Sequence, residues 1–268
     1  MSVKLTFLGT GTSQGVPMIG CRCDVCCSED PRDKRLRASV LVEYCGQKIL
    51  VDAGPDFRQQ MLRENISHVD AILLTHNHKD HTGGLDDIRA FNYHEKKATQ
   101  IYCEKYVEDS LRMEYSYAFA EKKYPGAPEW DVHLIDENPF SIGAGGAQII
   151  PIRGRHYKLP VLGFRFGDIA YCTDMNHIPE DEFEKLKGLK HFIINTVRRG
   201  HHISHFALEG ALKIAERVGA QHTWLTHLSH QLPRHEELAA ELPSNVRPAY
   251  DGLVISAENN VNMYIATK

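Results

Sequence analysis

The stretch Ala71-Ile72-Leu73-Leu74-Thr75-His76-Asn77-His78-Lys79-Asp80-His81-Thr82-Gly83-Gly84 constrains what this chain can fold into more than any other. Its four apolar residues and Thr75 read as a short buried strand. His76, His78, Asp80 and His81 follow within six positions, ahead of a glycine pair and a more helical segment. The strand anchors the near end, and the loop bends these side chains back towards a common point. Imidazole and carboxylate donors suit zinc, manganese or iron. A polar surface loop would gather such a cluster only by accident, so the loop reads as a metal site on a strand end.

The rest of the chain must supply a scaffold rigid enough to hold that loop. With 268 residues, 42% of them hydrophobic, it can bury a substantial core as one large domain or two small ones. No linker or low-complexity tract divides it, so residues 1–268 read as one domain. The formal net charge of −4 offers no basic field, which ranks nucleic acid low as a partner without excluding it. A small phosphorylated substrate needs only a few local cations. The first ten residues alternate like a strand and lack signal-peptide anatomy. No apolar run approaches membrane-spanning length, so no membrane partner is expected. Seven cysteines, an odd number bunched near one end, argue against a disulfide framework and for a reducing, cytoplasmic setting.

Along the chain, residues 3–8 read as a strand leading into the turn Gly9-Thr10-Gly11-Thr12-Ser13-Gln14-Gly15, whose spacing matches no nucleotide fingerprint. Residues 40–44 and 48–52 read as a hairpin turning at Cys45-Gly46-Gln47. Asp52, closing that hairpin ahead of Gly54, can either accept a hydrogen bond from a metal-binding His or cap a turn; spacing alone leaves both open. A short helix is expected over 56–64. Residues 86–135 are charged and aromatic, with helical patches such as 104–123 and a break at Pro125-Gly126-Ala127-Pro128; they read as a lid or as a solvated flank. Strands are expected at 147–152, 162–166, 169–173, 191–194, 223–226, 246–249 and 253–256, and an amphipathic helix at 206–218 ending at Gly219. The run Leu74-Thr75-His76-Asn77-His78 is echoed by Leu225-Thr226-His227-Leu228-Ser229-His230. Two batches of strands with helices between and after suggest two similar sheets packed face to face, with helices outside.

Three further residues stand at strand ends: His156, Asp174 and His227. With His76, His78, Asp80 and His81 they make seven ligands, the number two metals sharing one carboxylate would need. A bridging Asp174 would hold such ions roughly 3.5–4 Å apart, the spacing used to activate water and to stabilise in-line displacement at phosphorus.

The order Asp52-x-Gly54, Thr75-His76-Asn77-His78-Lys79-Asp80-His81, His156, Asp174 and His227 resembles the metallo-β-lactamase superfamily over nearly the whole chain. The resemblance implies an α/β fold, an αββα four-layer sandwich with two mixed sheets, a dinuclear site at the sheet edge and a hydrolase. His78 favours hydrolysis, because the oxygen-reducing di-iron members carry Glu there. A closer likeness, to the PhnP-like phosphoribosyl cyclic phosphate phosphodiesterases, rests on Leu8-Gly9-Thr10-Gly11-Thr12-Ser13-Gln14-Gly15-Val16-Pro17, on Cys21-x-Cys23-x2-Cys26 and on Leu225-Thr226-His227-Leu228-Ser229-His230. Three thiolates at 21, 23 and 26 need a fourth donor for tetrahedral zinc. Spacing offers the neighbouring Cys27, whereas the resemblance nominates His230, giving a structural zinc in a loop at about 20–30.

The same resemblance implies that metal-activated water attacks phosphorus and that His205 protonates the leaving group, with His201 and His202 as competitors and Asp80 counted as both ligand and catalytic residue. It also allows a homodimer. Asn195-Thr196-Val197-Arg198-Arg199 departs from the Ser-His-Pro run of the phosphonate enzyme, which leaves the substrate open. Arg153, Arg155, Lys158, Arg198 and Arg199 are the cations near these ligands that could hold a phosphate. The expected activity is therefore a dinuclear-metal phosphodiesterase for a small cyclic or diester phosphate. The alternatives are an RNA-processing nuclease of the tRNA 3′-end type and a thioester or lactone hydrolase.

Overall fold

Alternating and continuous apolar runs place the strands, and a computed structural model describes residues 2–257. The first sheet is built from β1 (Val3–Gly9), β2 (Ser39–Tyr44), β3 (Gln47–Val51), β4 (Ala71–Leu73), β5 (Thr99–Cys103) and β6 (Trp130–Leu134). The second contains β7 (Phe140–Ile142), β8 (Ala147–His156), β9 (Leu159–Phe166), β10 (Ile169–Cys172), β11 (His191–Asn195), β12 (His222–Thr226) and β13 (Val246–Pro248). β14 (Val254–Ala257) returns to the first sheet and pairs antiparallel with β1, Val3 opposite Ala257.

Both sheets have the same plan. In the first, β14-β1-β2-β3 is antiparallel and β3-β4-β5-β6 parallel; in the second, β7-β8-β9-β10 is antiparallel and β10-β11-β12-β13 parallel. The counterpart of β3 is thus β10, and that of β4 is β11. This corrects the echo read from sequence: Thr75-His76 follows β4, whereas Thr226-His227 follows β12, the counterpart of β5. The true structural equivalents are Asp52 after β3 and Asp174 after β10, both in left-handed backbone, with φ 63° and 57°. Asp tolerates that region because its short side chain can hydrogen-bond locally.

The helices are α1 (Phe57–Arg63), α2 (Lys79–Thr82), α3 (Arg89–Glu95), α4 (Lys105–Glu114), α5 (Ser116–Phe119), α6 (Leu208–Val218) and α7 (His235–Glu241). Leu5, Phe7, Phe164, Phe166 and Tyr171 are fully buried between the two sheets. α1 and α4 lay Phe57, Met61, Val107 and Leu111 on the outer face of the first sheet, against Leu50, Ile72 and Ile101. α6 lays Leu208 and Ala211 on the second, against Phe192, Ile194 and Leu225. These layers are the αββα sandwich. Each large side chain buried in them contributes about 1.5–3 kcal/mol of apolar transfer.

The stretch 86–135 is no detached flap. β5 and β6 are strands of the first sheet, and α4 is tied down where Tyr106 Oη donates to the Pro160 carbonyl at 2.7 Å and Tyr115 Oη, just beyond it, to that of Thr82 at 2.9 Å. Asn77 Nδ2 donates to Ser110 Oγ at 2.8 Å, so α4 also braces the histidine loop. α4 flanks the site as part of the fold.

Candidate metal centre and its surroundings

The histidine loop is pressed against the end of β3. A Cβ on Gly54 would stand 2.0 Å from the Asp80 carbonyl oxygen, and one on Gly84 would stand 2.1 Å from that of Gly54. Only glycine permits this approach at either place. The contact is fastened by Ala53 N–H to the His81 carbonyl at 2.8 Å and Gly84 N–H to that of Ala53 at 2.9 Å.

Asp52, left open between two readings by spacing, orients the loop. Its buried carboxylate accepts from Thr75 N–H at 2.9 Å, from Thr75 Oγ1 at 2.9 Å and from His81 Nδ1 at 2.6 Å. That last bond fixes the proton of His81 on Nδ1 and turns Nε2 inward. His76 is oriented likewise, Nδ1 lying 3.0 Å from Thr75 Oγ1, and His156 by donating from Nδ1 to the Ser204 carbonyl at 2.8 Å.

All seven residues read from the sequence converge. Donor atoms of His76, His78 and His156 lie within 4.8 Å of one another, as do those of Asp80, His81, Asp174 and His227. Asp174 also belongs to a third group with His156 and His205, and so joins the other two. His81 Nε2 is 3.2 Å from Asp80 Oδ2 and 3.3 Å from Asp174 Oδ2, and His227 Nε2 is 3.1 Å from Asp174 Oδ1. Despite this proximity, neither nitrogen is aligned for a hydrogen bond, and His76 Nε2 is likewise buried without a partner. Buried polar atoms normally find partners. Nitrogens and oxygens that converge without pairing are arranged around shared points, as donors to a cation are.

The electrostatics agree. Burial works against charge on His81, but Asp174, Asp80 and Asp52 outweigh it and hold the imidazole well above its ordinary range. His227 is raised to about 9, again against burial, by Asp174 and Asp80. Asp174 is held well below the carboxylate range by His227 and His81 despite its burial, and Asp80 is lowered by His81 and His227 in the same way. The carboxylates and imidazoles here therefore favour positive charge at the point where they converge. Burial lowers His76 well below its usual range and His156 to about 4, leaving both neutral with a lone pair to offer. The donor set thus fits divalent cations.

His205 Nε2 lies 3.0 Å from Asp174 Oδ1, and its ring stacks on that of His227 at 4.8 Å between centroids. It sits in the loop ahead of α6, whose N-cap is Ala207, so the helix expected over 206–218 starts two residues later. Its competitors separate from it. His202 stands behind, Nδ1 3.2 Å from His205 Nδ1, and the carbonyl of His201 is held by Arg198.

Among the nominated cations, Arg153 is consumed by Glu104 at 2.6 Å and Glu137 at 2.6 Å, and Arg199 pairs with Glu241. Arg155 and Lys158 remain exposed at the β8–β9 turn.

A second cluster lies beside the first. Cys21, Cys23, Cys26 and His230 bring their donor atoms within 4.8 Å, with His230 Nδ1 3.2 Å from Cys21 Sγ and 3.4 Å from Cys23 Sγ. Cys27, the alternative from spacing, is exposed and outside the group. The Cys26 backbone amide leads in lowering Cys23 to about 6, while burial leads in raising Cys26 to about 11. Three sulfurs and one imidazole fit tetrahedral zinc. The cluster is tied to the centre through His230, three residues past His227, and Leu228 N–H between them donates to the Thr10 carbonyl just past β1 at 2.8 Å.

Among the described residues no helix is long and apolar enough to cross a membrane. Residues 47–228 match the family described as Beta-lactamase superfamily domain. Over 254 residues the chain is 42% identical to an octanoyltransferase of Porphyromonas gingivalis, covering 94% of this chain and 51% of that protein, so it spans about half that relative's length. It is similar to the crystal structure of a new diphosphatase from the PhnP family, with 40% identity, a TM-score of 0.89 and coverage of 96% of this chain and 98% of that one. A ribonuclease Z of Pyrobaculum neutrophilum is 26% identical over 284 residues, covering 90% of this chain and 92% of that protein.

Proposed function

The chain belongs to the beta-lactamase superfamily domain family and is a hydrolase close to its PhnP-like members; on that footing we propose a dinuclear-metal phosphodiesterase acting on a small cyclic or diester phosphate, a phosphoribosyl cyclic phosphate or a compound like it. The observation that carries the proposal is the placement of Asp174, one carboxylate reaching both donor groups, with His205 Nε2 3.0 Å away. In this reading His76, His78 and His156 would hold one divalent cation and Asp80, His81 and His227 the other, with Asp174 placed to serve both. Zinc, manganese and iron all suit these donors, while Cys21, Cys23, Cys26 and His230 hold a structural zinc. Two such cations would supply activated water and stabilise charge at phosphorus.

The chain's own residues do the rest. Asp52 and Thr75 lock the loop's imidazoles in their donor tautomers. His205 carries the proton at Nε2 for the leaving oxygen, and Ser204 Oγ, 3.1 Å from Nδ1, steadies the ring.

A phosphoanhydride is the second substrate class, favoured by the likeness to a PhnP-family diphosphatase; its cleavage uses the same residues. The ribonuclease reading ranks below both. α4 and α5 are bonded into the fold instead of forming a protruding arm, and the net charge is −4. The acyl reading gains nothing from the octanoyltransferase, because this chain matches only 51% of it. The free thiols suit a cytoplasmic setting. Assays with bis(p-nitrophenyl) phosphate, 2′,3′-cyclic AMP and ADP, in Mn²⁺ or Zn²⁺, test the proposal; loaded protein inert on all three overturns it.

A further inference from the structure

Two exposed apolar side chains flank the metal centre, and one amide holds the backbone of both. Tyr157 directly follows His156 at the β8–β9 turn, in left-handed backbone with φ 58°, and is 51% exposed. Ile203, 60% exposed, lies two residues before His205. Asn176 Oδ1 accepts from Tyr157 N–H at 3.1 Å, and Asn176 Nδ2 donates to the Ile203 carbonyl at 2.8 Å. Asn176 is itself pinned through its own N–H, which donates to the Arg155 carbonyl at 2.8 Å. The two loops meet at the centre, where the rings of His156 and His205 are 4.4 Å apart.

Single exposed apolar residues are ordinary on any surface. An aromatic side chain in left-handed backbone is uncommon. A second apolar residue whose backbone is held by the same Asn176, each within two residues of a residue of the reactive centre, is a shaped feature. Lys158 Nζ lies over the Tyr157 ring, 5.4 Å from its centroid, which puts a cation against one ring face, and half of the side chain remains exposed.

We infer that Tyr157 and Ile203 form a jaw for a flat ring carried by the substrate beside its phosphate, a nucleobase or comparable aryl group, so that the site prefers a nucleotide to a bare sugar phosphate. The inference rests on the phosphohydrolase reading above. The planar group stacks on Tyr157, Ile203 covers its edge, and Lys158 adds charge complementary to the phosphate.

Calorimetric binding of AMP and of ribose 5-phosphate to the metal-loaded protein tests it. AMP is expected to bind about ten-fold more tightly, the scale of one base–aromatic stack. In Tyr157→Gly, chosen because glycine accepts the positive φ, that ratio falls to near one while ribose 5-phosphate binds as before. Tyr157→Phe keeps the preference. Equal affinities in the wild type, no measurable AMP binding, or a preference that survives Tyr157→Gly overturns the jaw. Turnover of methyl p-nitrophenyl phosphate and bis(p-nitrophenyl) phosphate separates the two readings, since both expel the same leaving group. Inertness on both, and on 2′,3′-cyclic AMP and ADP as well, removes the phosphohydrolase reading, whereas activity on any of them with an AMP preference indifferent to Tyr157 removes the jaw alone.

Discussion

Replacing Asp52 by Asn changes one atom and tests the logic of the centre. The carboxylate takes three hydrogen bonds, two from Thr75 and one from His81 Nδ1 at 2.6 Å. Asn fits the space and tolerates φ 63°. Its amide has one oxygen and one NH2. If the oxygen stays with Thr75, the NH2 faces His81, and two donors then oppose each other. His81 resolves the clash by moving its proton to Nε2, the atom that faces Asp80 and Asp174, and loses the lone pair a metal needs. Loss of such a supporting carboxylate typically costs ~10–100-fold in metal affinity. The stability cost of one lost buried bond is about 1–3 kcal/mol. Asp52→Ala is expected to be worse, because it leaves three buried donors without an acceptor. Chelator competition read by elemental analysis, alongside denaturant melts, measures both quantities. An Asp52→Asn protein that retains its full metal content with undiminished affinity would refute the assignment of Asp52 to His81's tautomer.

His205→Ala is expected to slow esters with poor alkoxide leaving groups by roughly 10²–10⁴-fold while sparing p-nitrophenyl esters, because p-nitrophenolate departs unprotonated; equal losses on both would remove the acid role. Cys23→Ser should release one zinc, seen by elemental analysis, and lower the thermal midpoint, while the His/Asp centre keeps its metals; unchanged zinc content would contradict the cluster's role. His235 gives a pH prediction. Burial, and then Arg35 and Arg32, lower its imidazole to about 4, and Arg35 approaches Nδ1 at 3.3 Å. With the folded value depressed, the unfolded chain binds the proton first, so this contribution is present above about pH 6.5 and is lost as pH falls towards 4. The loss is at most about 3 kcal/mol. His235→Gln should therefore lose less stability than the wild type between pH 7 and 4.5, and parallel denaturant curves would count against it.

The metal loop, its strand and the completing residues were legible because ligand type and strand-end position are local signals. His156, Asp174 and His227 each stand at or just past the end of an apolar run. The counterpart relation between β3 and β10 was not legible, since it depends on pairing order; the Thr-His repeat pointed to the wrong pair of strands. β5, β6 and β7 were missed because Thr99–Cys103 mixes Gln with its apolar residues, Trp130–Leu134 is a charged edge strand and Phe140–Ile142 spans three residues. The fate of Arg153 was hidden by distance, as Glu104 lies 49 positions upstream. Asn176 gave no signal, because an isolated Asn between His and Met looks like any loop residue.

The division of ligands between the two sheets has a consequence for how the protein is made. His81 is synthesised 146 positions before His227, and β1 waits for β14 to cover its edge. At ~5–20 residues per second, the nascent chain carries half a metal site and an unfinished sheet for about 7–30 s. Until β7 to β11 have been made within that interval, the inner face with Phe7, Val42 and Leu73 has no second sheet to cover it. Ribosome-stalled chains ending near residue 200 are expected to be digested by protease even in saturating zinc, and protection of such chains would show that the first half folds alone. Because its residues come from both sheets, the centre cannot be assembled until β12 and His227 have been made, whereas the edge of β1 waits longer still for β14.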